Sequence, residues 1–402
     1  ITIAELLKQN GYYTAAFHDN WFISRYYGYN RGFDIFHDSP SQFGLKGTRA
    51  MMARKLVFER PDSMLTKLVQ KLRALLGPIL VRVQARPVAT ADEITSKAIS
   101  SPIIGKEKFF LWLHYMDVHQ PYMPPAKYVK QICSRPIGRA EMRVLYHKQV
   151  SEPDKVLPSE VETIIDLYDA NVKCVDDAIG HLLNNLGDDL DNTIIIITAD
   201  HGGELGEHAE FFHQTLYDTV IRVPLIMVGP GIKAGTLVQD QVSLINLAPT
   251  IADIAGIRSP SGFHGKSLLP VMSGAKCLPT ATISTILKPP PGVKPAEYLM
   301  PRGKHLGTEP GRRSLSYRTL GWKYIHTERL DSKEDVIGQE LYNLRNDPGE
   351  TKNLHGTDAE EARKFELEAK NKLSQFKKFK TERNTVYEKE RLTAKLRKLG
   401  KM

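Results

Sequence analysis

The sequence predicts an α/β protein: a largely parallel central sheet with helices on both faces, and a small antiparallel subdomain towards the C-terminal end. Three observations predict it. Helical and strand-like patterns alternate from Ile1 to Gly256, the order that builds parallel sheets through crossover helices. Two of the strand patterns, Phe109–Tyr115 and Thr193–Thr198, are almost unbroken apolar runs, as expected of strands covered on both faces. After Ser259, proline and glycine become frequent, and the short runs Ala281–Leu287, Ser314–Leu320 and Trp322–Thr327 follow with no helical pattern between them.

The elements are legible in order. Thr2 and Glu5 have the spacing of a capping box, so a helix opens at once and Gly11 is placed to stop it. Tyr12–Phe17 reads as a strand. Residues 44–90 are basic, with Leu65, Leu68, Val69, Leu72, Leu75, Leu76, Ile79 and Leu80 at helical spacing. They read as an insertion helix packed on the body, with a membrane-surface helix as the alternative. Asp92–Ile104 is helical. Ser159 to Leu186 carries a long helical pattern that ends at Gly187. Val223–Gly229 is a further strand, and Leu244–Ala255 a helix stopped by Gly256. The expected organisation is a catalytic core over 1–258, an antiparallel subdomain over 259–357 and a basic helical tail over 358–402, the last without a convincing apolar stripe.

A chain of 402 residues can bury a large core. No apolar run reaches the about 18 residues of a membrane-spanning helix. Cys133, Cys174 and Cys277 lie far apart, without metal or redox spacing, and read as buried or incidental thiols. The formal charge is +9, and Glu368–Met402 alone contributes +8, from 12 Lys/Arg against 4 Asp/Glu. The body is therefore near neutral, and no specific nucleic-acid partner is predicted. The tail is expected to be a solvated helix, with weak contact to anionic lipid as the alternative. The first residue is Ile1, with no leader legible before the first helix. The expectation is a piece cut inside a domain, with cytoplasmic placement ahead of secretion.

The chemistry gathers where apolar runs end. Thr193–Thr198 runs into Asp200-His201-Gly202-Gly203, which sets a carboxylate beside an imidazole on backbone that can approach a ligand closely. Glu204, Glu207 and His208 follow, and add to the reading of a metal site. His119 lies in the loop after Phe109–Tyr115, whereas His114, inside that strand, reads as a core histidine. His213 follows Phe211-Phe212, an aromatic shoulder that either aims the ring at a site or buries it.

Six segments in one order resemble the sulfatase family of the alkaline phosphatase superfamily, over about Ile1 to His355. They are Ile3–Tyr12 with Thr14–Phe17; Arg31-Gly-Phe-Asp34; His114–Tyr122; Thr198-Ala-Asp-His-Gly202 with Gly206-Glu-His208; Tyr217 with Arg222-Val-Pro-Leu225; and Glu340–Leu344 with Asp347-Pro-Gly-Glu350 and Asn353-Leu354. The resemblance implies a metal-dependent sulfuric ester hydrolase. Asp200 and His201 match the family's second pair of metal ligands. His119 matches the histidine that contacts the transferred group or the leaving oxygen. His213 matches a position usually held by lysine, which stabilises the anion or protonates the leaving group. The metal implied is Ca²⁺, with Mn²⁺ or Zn²⁺ also compatible with mixed oxygen and nitrogen ligation. The substrate implied is a sulfate-ester small molecule or glycan.

One departure is large. The family's nucleophile lies in a Cys/Ser-x-Pro-x-Arg segment, and no such segment occurs in these residues. The first acidic ligands of the metal are likewise unmatched. As it stands the chain is expected to be inactive. The alternatives are a phosphodiesterase or phosphonate monoester hydrolase of the same superfamily, and a non-catalytic binding protein on a sulfatase fold.

Overall fold

The computed structural model describes residues 1–38, 89–275, 281–288, 311–329, 336–357 and 359–375. The predicted insertion up to residue 88, Cys277 and the tail beyond residue 375 lie outside the described residues.

The chain opens with α1 (Ile3–Gln9), capped as the sequence requires. Thr2 Oγ1 accepts from Glu5 N at 3.1 Å, and Glu5 Oε2 accepts from Thr2 N at 2.7 Å. Strand β1 (Tyr13–His18) runs parallel to β2 (Ile35–His37) on one side and β3 (Phe109–His114) on the other. The Arg31–Asp34 segment explains itself in this register. Gly32 lies so close to α1 that a Cβ there would sit 2.2 Å from Glu5 N, and its carbonyl accepts from Thr14 Oγ1 at 2.7 Å. Ala15 and Phe17 pack with Ile94 and Ala98 of α2 (Ala91–Ile99), while α1 also lies against β1.

Helices α3 (Ala126–Ile132), α4 (Arg139–Ser151) and the 29-residue α5 (Pro158–Leu186) form a layer beyond the sheet. The last packs on α2, and through Ile164, Leu167, Ala170 and Cys174 on α3 and α4. Strand β4 (Ile195–Thr198) follows, then a two-stranded hairpin of β5 (Glu204–Leu205) and β6 (Phe211–Phe212), the short helix α6 (Asp218–Ile221) and β7 (Leu225–Val228). Here the architecture adds to the prediction. β7 pairs antiparallel with β4, because the connection between them is a hairpin and one helical turn rather than a crossover helix. β3 is half-buried along its whole length, not buried on both faces as its apolar run predicts. Among the described residues it has a strand partner on one side only.

Helices α7 (Leu247–Ile254) and α8 (Leu269–Met272) lead to the C-terminal sheet. Its strands, β8 (Thr282–Lys288), β9 (Arg312–Arg318), β10 (Trp322–Arg329) and β11 (Val336–Asn343), stand in the order β11-β10-β9-β8, every pair antiparallel. A helix over 360–375, α9, closes this sheet. The sequence reading misses its apolar stripe. Ala362, Phe365, Ala369 and Leu373 recur at helical spacing and pack on Leu315, Tyr317, Trp322, Tyr324 and Leu341. Two of the four are alanines, which buries little area but lets the helix sit close. No helix among the described residues is long and apolar enough to cross a membrane.

Candidate active site

The site forms where β3 and β4 end. β4 stops at Thr198, whose hydroxyl donates to Pro224 O at 2.8 Å. The chain then turns through Asp200, His201 and Gly202. A Cβ on Gly202 would sit 2.2 Å from Thr219 O, and its N–H donates to Val220 O at 2.7 Å. Only glycine lets this turn press on α6. The loop after β3 brings His119 to the same place, and His213 arrives on the far side of the β5–β6 hairpin. The His201 and His213 rings stack at 4.3 Å between centroids, His119 lies 5.3 Å from His213, and His119 and His201 are 6.4 Å apart. The four residues singled out in the sequence are therefore neighbours in space.

The hydrogen bonds define how these rings face the site. His119 Nδ1 lies 2.7 Å from Gln120 O, and His201 Nδ1 lies 2.8 Å from Gly202 O. A carbonyl oxygen only accepts, so both Nδ1 atoms carry hydrogen and each Nε2 is left for the site. Asp200 Oδ1 accepts from His201 N at 3.0 Å, and its Oδ2 lies 3.8 Å from His201 Nε2. A carboxylate oxygen and an imidazole nitrogen thus share one space, with the imidazole held from behind by a carbonyl in the manner of metal-ligating histidines. Asp200 and His201 fit a divalent cation as two members of a ligand set. Among the described residues no group of three His, Cys, Asp or Glu side chains is placed to hold one.

Charge is scarce around these rings. Burial pushes His213 down to about 4, and the neighbouring His201 and His119 push the same way against Asp200. His213 is neutral near pH 7, so it offers an N–H to an anion where an ammonium would offer charge. His114 is not a remote core residue. Burial lowers its pKa first, and its ring also feels Asp200, His201 and His119, which places it at the border of the site.

Glu204, Glu207 and His208 are used differently from the sequence reading, which counts them towards a metal. Glu204 is fully buried and accepts from Thr215 Oγ1 at 2.9 Å. Glu207 Oε2 accepts from Leu205 N at 2.6 Å. His208 turns to the C-terminal subdomain, with Nε2 2.9 Å from Gly349 O. These side chains build the hairpin.

Sequence reasoning misses the ion cluster behind it. Lys323, fully buried on β10, lies 2.6 Å from both Asp218 and Glu350 and donates to Leu216 O at 3.1 Å. Arg318 grips both oxygens of Asp218 at 2.8 and 2.6 Å. Burial opposes ionisation of Asp218, yet Arg318 and Lys323 together hold its carboxyl down to about 2. Burial raises the pKa of Glu350 despite Lys323. The available signal was a lysine set between Trp322 and Tyr324 in a strand pattern.

Known proteins share this chain's family and its fold. The family model described as Sulfatase matches residues 2–257. The chain is 32% identical over 246 residues to arylsulfatase K of Rattus norvegicus, covering 60% of this chain and 37% of that protein. It is 35% identical over 204 residues to N-acetylglucosamine-6-O-sulfatase of Bacteroides thetaiotaomicron, covering 49% of this chain and 33% of that one. The chain thus spans about a third of the length of the curated relatives it matches. Among solved structures, BT4656 in complex with its substrate D-glucosamine-2-N,6-O-disulfate matches with a TM-score of 0.62 at 22% identity, covering 94% of this chain and 81% of that one. The phosphonate monoester hydrolase of Silicibacter pomeroyi matches with a TM-score of 0.63 at 21% identity, covering 93% and 79%. At those identities the two structures speak for the fold.

Proposed function

Since the chain belongs to the sulfatase family, we propose that it carries one half of the active site of a hydrolase that cleaves sulfuric esters. The observation that carries this reading is the meeting of Asp200, His201, His119 and His213 in the turns and loops that follow β3, β4 and β6. Asp200 and His201 hold a divalent cation, which would draw charge from the sulfate oxygens and from the attacking group. His119 presents Nε2 to the transferred group or the leaving oxygen. His213 would donate a hydrogen bond to the same anion, and its stack on His201 fixes its ring beside that candidate ligand. The Asp200 carboxylate suits the Ca²⁺ implied by resemblance, and the His201 imidazole suits Mn²⁺ or Zn²⁺.

No residue of this sequence stands in a Cys/Ser-x-Pro-x-Arg segment. Residues 1–402 alone are therefore expected to bind cation and sulfate weakly and not to turn over. The relatives named for N-acetylglucosamine-6-O-sulfate and for a disulfated glucosamine support a sulfated amino sugar as the substrate class. The test is hydrolysis by the complete polypeptide of glucosamine 6-sulfate, an aryl sulfate and a phosphonate monoester, each with Ca²⁺, Mn²⁺ or Zn²⁺. Sulfate release, lost in Asp200→Asn, is the expected result. Faster release from the phosphonate would favour the phosphonate hydrolase reading, and metal binding without any turnover would favour a binding protein.

A further inference from the structure

From the hairpin geometry we infer that His208 is a positioning residue, which sets His213 against the Asp200–His201 turn by fastening the β5–β6 hairpin to the C-terminal subdomain. The inference rests on the functional reading above. Its first support is where the hairpin begins and ends. It leaves directly after Gly203 and returns at Phe212, one residue before His213. Any shift of the hairpin therefore moves His213 relative to His201, the ring it stacks on at 4.3 Å.

The hairpin backbone is not one that its residues would choose. His208, Ala209 and Phe212 have φ of 53°, 56° and 81°, a region unfavourable to any residue with a Cβ. Such conformations persist where the surroundings enforce them. Here the enforcing contacts converge on His208. Its Nδ1 lies 3.3 Å from both carboxylate oxygens of the buried Glu204, and its Nε2 lies 2.9 Å from Gly349 O. Each ring nitrogen thus faces an oxygen, one on the hairpin itself and one on the C-terminal subdomain. The ring also stacks on Tyr217 at 3.8 Å and 20°, and Tyr217 in turn donates to Glu340 at 2.8 Å.

The turn that receives His208 also holds the far side of His213. Glu350, the next residue after Gly349, accepts from Asp218 N at 2.6 Å. One turn of the C-terminal subdomain thus grips the chain before His213, at His208, and after it, at Asp218. Thr215, between those grips, donates to the same Glu204 that faces His208. The arrangement closes a loop of which His213 is the functional member, and His208 makes no contact with the candidate cation ligands.

The test has two readouts. In residues 1–402, backbone amide exchange over 204–213 is expected to quicken in His208→Ala, with the melting temperature little changed, and to return towards the wild-type rate in His208→Gln, whose amide retains donors. In the complete polypeptide hydrolysing a sulfate ester, His208→Ala is expected to lower kcat by about 10- to 100-fold with KM little changed, and His208→Gln to recover most of it. Unchanged exchange in His208→Ala overturns the inference, whatever turnover does. If His208→Ala does not fold, His208→Gln carries the decision through exchange over the same residues, with faster exchange confined to 204–213 in support and unchanged exchange against. A wild type that hydrolyses no sulfate ester removes the functional reading and leaves the positional one to the exchange data.

Discussion

The turn that ends β4 and the ion cluster behind the hairpin are built in opposite ways. The Asp200 side chain is 62% exposed and that of His201 36%, and each is held by a bond to nearby backbone. Lys323 and Glu350 are essentially inaccessible, Asp218 is nearly so, and each has several partners. The groups proposed to meet a cation stay open to solvent. The buried network instead holds the start of α6, against which their turn rests. A buried ion cluster is a costly way to gain stability, but it accepts one geometry only.

That contrast makes the effects of substitution separable. The largest loss is expected on the buried side. Lys323→Met leaves Asp218 and Glu350 without their shared ammonium and should cost about 3–5 kcal/mol in urea unfolding. A loss well below this would mean that water reaches the cluster, and the contrast would weaken. Next comes acid sensitivity of the parallel sheet. Burial pushes His18 down to about 4, with His114 adding to the shift. The unfolded chain therefore takes up a proton near pH 6.5 that the folded chain refuses until about pH 4. The stability linked to His18 is complete above pH 6.5 and disappears as pH falls to 4, by about 3 kcal/mol. His18→Phe, beside Phe36 and Trp112, should flatten that limb. The Asp218 contribution lies lower, present above its unfolded value of 3.8 and lost towards 2. Smallest in stability is the exposed side. Asp200→Asn should weaken binding of a divalent cation by roughly 10-fold or more while unfolding stays within about 0.5 kcal/mol of wild type. Destabilisation comparable to that of Lys323→Met would erase the distinction between the two regions.

The same contrast explains what could be read from the sequence. β1, β3, β4 and α5 announce themselves by periodicity, and the Asp200-His201 turn by its place at the end of an apolar run. The direction of β7 has no such signal, because a short apolar run looks alike in either orientation. β11 carries no clear strand pattern: Val336–Asn343 mixes Gly338, Gln339 and Glu340 with its apolar residues. The partnership of His208 with Gly349 joins positions 141 apart, which no local pattern foretells. Glu204 and His208 look like ligands in a sequence because the residue types that hold metals also hold loops.

The packing of α9 changes how the basic end of the chain can be manipulated. A cut at residue 358 would remove most of the chain's net positive charge, but it would also strip Phe365 and Leu373 from Trp322 and Tyr324 and lay open the core of the C-terminal sheet. Precipitation or lost binding after such a cut would say nothing about charge. A cut after residue 375 leaves that core covered, so charge and folding can be varied one at a time.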